Sequence, residues 1–246
     1  MFELDRYEYF EDVNLGLVRH VPTGLRVLDV GCGSGLLGAE YRRRANVVWG
    51  IDSAEEVREV AANRLDRFVL ADVTDEAAVT AALGDERFDL IVFADVLEHL
   101  YDPVGTLRWY RRFLRAGGRV HVSVPNIGLW SARVALLAGR FDYAQTGTLD
   151  KTHIRFFTRR TVRKLFAAAG LELEELDLTP GLARPFVPLV KRAMARDGEV
   201  ERRAIIDSRP YKAYARLIYP AERQLCRLAP GLLAFQHIAI GRDGRA

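Results

Sequence analysis

The sequence predicts an α/β fold built on a doubly wound, largely parallel sheet. Three observations carry that expectation. Short apolar, β-branched runs alternate with helical patterns between residues 26 and 169, which implies βαβ units with helices on both faces of a sheet. The first run enters a glycine-rich turn, Gly31-Cys32-Gly33-Ser34-Gly35, followed at once by a helical stretch. Acidic residues (Asp52, Asp72, Asp95) stand where later runs end, and doubly wound sheets bind ligands at the carboxyl ends of their strands.

Residues 2–21 carry Tyr7, Tyr9 and Phe10 beside acidic residues, then Leu15, Leu17 and Val18 at helical spacing. Residues 1–24 therefore read as an N-terminal cap helix. Residues 26–30 are short and apolar, as a strand buried on both faces must be, and residues 36–44 form the helix after the turn. A second strand spans 46–51, a third ends at Leu70, a fourth starts at Phe88, and a fifth follows the Gly117-Gly118 turn. Helices are expected over 54–63, 75–83, 104–114 and 127–139, and over 158–169 with Thr158 as N-cap and Gly170 as stop. Residues 141–157 read as a loop. Alternating apolar residues at 171–178 predict an antiparallel strand at the sheet margin.

The glycine turn points to a ligand. Gly31, Gly33 and Gly35 permit positive φ and remove Cβ atoms where backbone passes close to a bound molecule. The dinucleotide pattern Gly-x-Gly-x-x-Gly is not met. Its sixth position from Gly31 is Leu36, and the version from Gly33 to Gly38 begins two residues too far from the strand. Asp29 places a carboxylate at the strand end, where a pyrophosphate is repelled and an ammonium attracted. A zwitterionic ligand without phosphates is favoured.

The stretch Val27-Leu-Asp-Val-Gly-Cys-Gly-Ser-Gly35 resembles the signature of class I S-adenosylmethionine-dependent methyltransferases. Four further landmarks follow in that family's order: Gly50-Ile-Asp52, Leu70-Ala-Asp72-Val73, the fourth strand with its exit Asp95-Val-Leu-Glu98-His99, and Gly117 to Asn126. The resemblance covers residues 1–180 and a last strand at 233–241. It implies a Rossmann-like doubly wound sheet of seven strands with the last antiparallel, and S-adenosyl-L-methionine as cofactor. It also implies cofactor contacts from Asp29, Gly31, Cys32, Gly33, Ser34 and Gly35, from Asp52 and Ser53 on the ribose side, and from Asp72 and Val73 on adenine. Ala94 and Asp95 complete the set at the end of the fourth strand. In this family an N-terminal segment closes over the cofactor, so Tyr7 or Tyr9 is either a lid ring or a core ring. A core of residues 25–180 is then followed by a helical insertion, 181–230, between the last two strands, and by 231–246. The insertion is the segment expected to set the acceptor.

Composition fits one globular domain: 246 residues, 49% hydrophobic and 28% charged. No apolar run approaches the roughly 20 residues that span a bilayer, and no signal peptide follows Met1. A cytoplasmic location is expected, with peripheral contact on the inner membrane face as an extension. Cys32 and Cys226 make neither a metal spacing nor a disulfide pair. Net charge is +3, yet residues 181–230 hold eleven Lys/Arg against five Asp/Glu. That excess reads either as a solvated helical face or as a surface for anionic lipid, a phosphorylated substrate or nucleic acid. Nucleic acid is disfavoured, because the chain shows no separate RNA-binding domain and no Asn-Pro-Pro-Tyr-type base pocket. A homodimer contact is the other use for the insertion.

Methylation at oxygen benefits from a general base within hydrogen-bond reach, and five histidines are present. His121 and His237 fall within strands and read as structural, and His20 precedes the first strand. His99 and His153 remain as catalytic candidates, with Asn126 after Val124-Pro125 as a further cleft residue. No metal is required by this reading. The alternative is that Asp95, Glu98 and His99 ligate a hard divalent ion, as some quinone-pathway O-methyltransferases of this fold show a similar Glu-x-x-Glu-His group. Asp150-Lys-Thr-His153-Ile-Arg-Phe-Phe-Thr158 resembles a segment of bacterial methyltransferases in glycan and lipid-quinone pathways. Together these imply a methyltransferase acting on a small-molecule or lipid-linked acceptor, first a hydroxyl of a sugar, glycolipid or natural product. A metal-dependent quinone-pathway enzyme and a non-catalytic cofactor-binding interaction protein are the competing readings.

Overall fold

A computed structural model describes residues 14–182 and 214–244. Tyr7 and Tyr9, read as lid or core rings, and residues 183–213 of the expected insertion lie outside these residues. Strands β1 (Arg26–Val30), β2 (Val47–Asp52), β3 (Arg67–Leu70), β4 (Phe88–Ala94), β5 (Leu114–Pro125), β6 (Leu171–Pro180) and β7 (Ala234–Asp243) form one sheet, in the order β3-β2-β1-β4-β5-β7-β6. β1 to β5 are mutually parallel, and β7 runs antiparallel to both β5 and β6.

The sheet is buried on both faces, which is why β1 and β4 read as continuous apolar runs. Leu28, Val30, Ile91 and Phe93 join the core on one face, while Val27, Leu90 and Val92 join that on the other. Each such side chain contributes roughly 1.5–3 kcal/mol on burial. Around the sheet lie α1 (Leu15–Val18), α2 (Leu36–Arg42), α3 (Arg58–Arg64), α4 (Glu76–Leu83), α5 (Pro103–Tyr110), α6 (Trp130–Leu137) and α7 (Arg159–Ala169). α7 buries Val162, Leu165, Phe166 and Ala169, a helical stripe. A Thr158/Thr161 capping box starts it, and Gly170 in the left-handed region (φ +73°) ends it.

Two expected boundaries move. The helix expected to reach Leu114 stops at Tyr110, and a 3-10 turn, Arg111–Phe113, leads directly into β5. Leu114 pairs with Phe88 and Arg119 with Leu90, so the Gly117 turn is an irregularity inside the strand and not its start. The helix expected from Ile127 begins only at Trp130, because the Asn126 side chain holds the Gly128 amide at 2.9 Å in a turn.

After the undescribed stretch, a π-helical turn (Tyr214–Ile218), α8 (Tyr219–Leu228) and α9 (Pro230–Leu233) lead into β7. α8 docks on β6 through Cys226 and Leu178 and through Asp177, whose buried carboxylate takes Arg223 and, at 3.0 Å, His20 Nε2. The β5–β7 register pairs Pro125 with Gln236. The start of β7 therefore reaches the end of the sheet where β1 and β4 finish. No helix among the described residues is long and apolar enough to cross a membrane.

Candidate active site

The glycine turn is fixed by β2. Gly31 and Cys32 amides donate to the Ile51 carbonyl at 2.8 and 3.0 Å, and the Gly33 amide donates to Asp52 Oδ2 at 2.7 Å. Gly31, Gly33 and Gly35 all have positive φ (71°, 51° and 75°). A Cβ on Gly31 would meet Val96 Cγ2 at 2.5 Å, so glycine is also required by the approach of β4's exit. Arg64 on α3 donates to Ser34 through both its carbonyl (3.0 Å) and its Oγ (2.8 Å). Nothing local in the sequence signals this clamp. Cys32 is buried, and burial pushes its thiol well up, which removes it as a nucleophile.

Asp52 is buried and binds Ala54 N at 3.0 Å as well as Gly33. It ends β2 directly beside the glycine turn. Asp29 is buried with neither oxygen hydrogen-bonded. Burial, then the Asp52 charge, pushes its carboxyl up to about 7. One of its oxygens lies 3.6 Å from where a Cβ on Gly38 would stand, so the group faces α2, behind the loop. Asp72 is exposed at the end of β3, and its Oδ1 accepts from Thr74 N and Oγ1, both at 2.7 Å. Tyr110 Oη holds the adjacent Val73 carbonyl at 3.0 Å. Ser53 is exposed beside Asp52, and Ala94 packs on the core at the end of β4.

Beyond β4 a second group forms. Glu98, His99 and His153 bring one ligand atom each within 4.8 Å of one another. His99 Nδ1 bonds the Thr152 carbonyl and His153 Nδ1 the Thr148 carbonyl, each at 3.2 Å. Those carbonyls accept only, so both rings are Nδ1–H tautomers with an Nε2 lone pair available. Burial holds both imidazoles below their usual range. The Glu98 main-chain carbonyl takes the amides of Ile154 and Arg155, both at 2.9 Å, which docks the 150–155 loop against β4's exit. Its carboxylate is buried with no hydrogen bond, and burial followed by the Asp95 and Asp150 charges pushes its pKa well up. His153 Nε2 stands 4.0 Å from Glu98 Oε1.

Asp95 is not in this trio. Its carboxylate accepts from Gln236 Nε2 at 2.8 Å and from Ser123 Oγ at 3.2 Å, so the three-residue ligand set in the structure substitutes His153 for Asp95. Asn126 is fully buried. Its amide nitrogen donates to the Ala234 carbonyl at 2.9 Å and its oxygen takes Gly128 N, which ties β5's exit to the start of β7. His121 and His237 are buried in the sheet, with burial bringing them down to about 3 and about 4. A cavity of about 570 Å³, lined by His20, Asp89, Arg119, His121 and Glu175 among others, lies at the amino ends of the parallel strands, away from these groups.

Residues 2–176 match the family model described as Methyltransferase domain. Over 152 residues the chain is 33% identical to the ubiquinone biosynthesis O-methyltransferase of Cereibacter sphaeroides, which covers 61% of each chain. The chain thus spans about three-fifths of that relative's length. A SAM-dependent methyltransferase from Archaeoglobus fulgidus aligns with a TM-score of 0.59 over 92% of this chain and 90% of its own, at 16% identity. The 1,6-didemethyltoxoflavin-N1-methyltransferase of Burkholderia thailandensis, solved with its substrate and S-adenosylhomocysteine, aligns with a TM-score of 0.52 over 93% and 75%, at 17% identity. At these identities the two structures share the fold. The chain belongs to the methyltransferase-domain family, with the class I S-adenosylmethionine-dependent fold.

S-adenosylmethionine is the cofactor of that class, and the residues present fit it. Gly31, Gly33 and Gly35 leave a cradle without Cβ atoms, and the Asp52 and Asp95 carboxylates stand at the ends of β2 and β4 beside it. That charge suits a ligand carrying a sulfonium and an ammonium and opposes a pyrophosphate.

Proposed function

We propose that the chain transfers the methyl group of S-adenosylmethionine to an oxygen of a phenolic acceptor bearing an apolar substituent. The observation that carries this is the Glu98–His99–His153 group, with two neutral imidazoles whose Nε2 lone pairs lie beside a buried carboxylate. The relatives named for ubiquinone biosynthesis O-methylation favour a phenol over the sugar or glycolipid hydroxyl that the sequence reading put first. Exposed Leu136, Leu137 and Tyr143 on α6 and its following loop suit an acceptor with a hydrophobic tail.

In the reaction the acceptor oxygen forms a bond to the methyl carbon as the carbon–sulfur bond breaks on the opposite side, and the sulfonium charge is neutralised. Alignment and exclusion of water supply most of the rate. His153 Nε2 takes the phenolic proton, and the Thr148 carbonyl holds the ring while it becomes an imidazolium. His99 packs edge to face on His153.

The orphaned Glu98 carboxylate favours a second form of the same centre. Glu98, His99 and His153 are a two-imidazole, one-carboxylate set, and each imidazole is backed by a carbonyl as metal ligands commonly are. A divalent ion held there by these three residues would supply Lewis acidity, lowering the pKa of the acceptor hydroxyl. Labelled S-adenosylmethionine with a panel of catechols, prenylated catechols and saccharides, read by mass spectrometry with and without a chelator, tests both forms. Label on a phenolic oxygen supports the reading. Label only on saccharides, or on nitrogen or carbon, contradicts it. Loss of transfer on chelation selects the metal form.

A further inference from the structure

The cavity of about 570 Å³ at the amino ends of the parallel strands has polar walls from His20, Asp89, Arg119, His121, Glu174 and Glu175. Three of these are already committed to neighbours. Asp89 takes Arg115 on both oxygens at 2.9 Å and the Arg26 amide at 2.8 Å. Arg119 donates to Glu174 at 2.7 Å. What remains is His20 after α1, His121 on β5 and Glu175 on β6. His20 Nε2 lies 3.0 Å from Asp177 Oδ2. A carboxylate only accepts, so the neutral ring carries its hydrogen on Nε2 and turns the Nδ1 lone pair to Glu175 Oε2, 3.7 Å away. Two acceptors thus face each other across a gap that a cation fills. His121 is 2% exposed, and its Nδ1 has no hydrogen-bond partner. The strand register brings it to the same place. His121 and Glu175 both pair with Ile240 of β7, so their side chains emerge on one face of the sheet, on either side of Ile240.

Asp177 is not left for a direct ligand, because Arg223 and, at 3.6 Å, Arg227 pair with it. It backs His20 as a carboxylate backs a metal-bound imidazole, fixing the tautomer and the ring. Two imidazoles and a carboxylate suit a borderline divalent ion such as zinc. Neighbouring ligand atoms of a tetrahedral zinc lie about 3.3 Å apart, so the 3.7 Å between His20 Nδ1 and Glu175 Oε2 needs only a small closure. The guanidiniums nearest the group, Arg119 and Arg223, are each offset by a carboxylate. We propose that His20, His121 and Glu175 form a zinc site at the amino end of the sheet, with a fourth position open to the cavity and Asp177 as the positioning residue for His20. The ligands come from three segments, the turn after α1, β5 and β6. The ion therefore acts as a clamp that holds α1 on the sheet, and it takes no part in methyl transfer. This site is separate from Glu98, His99 and His153, which gather beyond the carboxyl end of β4.

The test uses the untagged full chain carrying His99→Ala/His153→Ala, so that the group beyond β4 has lost both imidazoles. After treatment with a chelator and its removal, Co²⁺ is added as a spectroscopic probe and Zn²⁺ as its competitor. Stoichiometric Co²⁺ binding is expected, with the intense visible bands of four-coordination, displacement by Zn²⁺, and a Tm that rises with Zn²⁺ concentration. Glu175→Gln removes the carboxylate charge and His121→Leu the ring nitrogens, each at similar size. Each is expected to abolish the bands and to weaken Zn²⁺ by at least about 10-fold. The Glu175 side chain is 52% exposed, so Glu175→Gln leaves the fold intact and decides the matter even if His121→Leu does not fold. Unchanged bands and Zn²⁺ affinity in Glu175→Gln overturn the proposal. So does the lack of stoichiometric binding in the parent, including the case in which restoring His99 and His153 brings it back, which assigns the ion to the other group.

Discussion

The rings of His99 and His153 meet edge to face with centroids 4.8 Å apart, one following β4 and the other standing in the loop before α7. Each ring is held by a backbone carbonyl and not by another side chain. Their orientation is therefore a property of how the 148–155 loop docks on the Glu98 carbonyl. Loop docking and site assembly are one event.

His153→Ala is expected to lower kcat by about 10²–10⁴-fold with little change in cofactor affinity. Burial holds both imidazoles below the usual histidine range, so they stay neutral at neutral pH. The acid limb of the kcat profile is expected below the ordinary imidazole pKa, as protonation removes the base. Single-turnover rates across pH, compared with calorimetric cofactor affinity, check both statements. A variant with near-wild-type kcat returns His153 to a structural role.

Asp29→Asn is expected to stabilise the ligand-free protein at pH 8. The folded-state carboxyl is raised to about 7 from 3.8, so its contribution is fully present below the unfolded pKa and is lost as pH rises toward 7. That loss amounts to about 2–4 kcal/mol. Thermal melts should separate variant from wild type at pH 8 and converge below pH 4. A gap that is constant with pH would show that Asp29 ionises freely in the fold.

Asp52→Ala removes the anchor of the Gly33 amide as well as the expected ribose acceptor. Cofactor affinity is expected to fall by roughly 2–4 kcal/mol. Calorimetry decides it, and unchanged affinity would place the ribose elsewhere.

Much of this was legible in the sequence because it is local or periodic. The apolar run of β1, the Gly31–Gly35 spacing, the Thr158 cap and Gly170 stop of α7, and the alternation of β6 each follow from short-range chemistry. What escaped is set by docking between distant segments. His153 was a candidate, but its union with His99 and Glu98 depends on loop docking, and the alternative trio drew Asp95 in by sequence proximity alone. Gln236 carried no signal, since only the antiparallel placement of β7 brings it to Asp95. Arg64 likewise reaches Ser34 only through the packing of α3.

The basic insertion gives a further expectation. Leu217 and Leu228 are largely exposed near Arg216 and Arg227 on the π-helical turn and α8. We expect the protein to bind anionic vesicles in a salt-sensitive manner, measured by co-sedimentation at low and high salt. A dimer with no vesicle binding at low salt would assign that surface to self-association.

The account's central claim, oxygen methylation at the Glu98–His99–His153 centre, is tested most directly by single-turnover transfer of labelled methyl from S-adenosylmethionine to a prenylated catechol. Wild type would be run beside the His99→Ala/His153→Ala double variant at matched cofactor occupancy. The account predicts label on a phenolic oxygen with wild type and a loss of at least about 100-fold in the double variant. Equal transfer by both proteins, with cofactor bound in each, would contradict it.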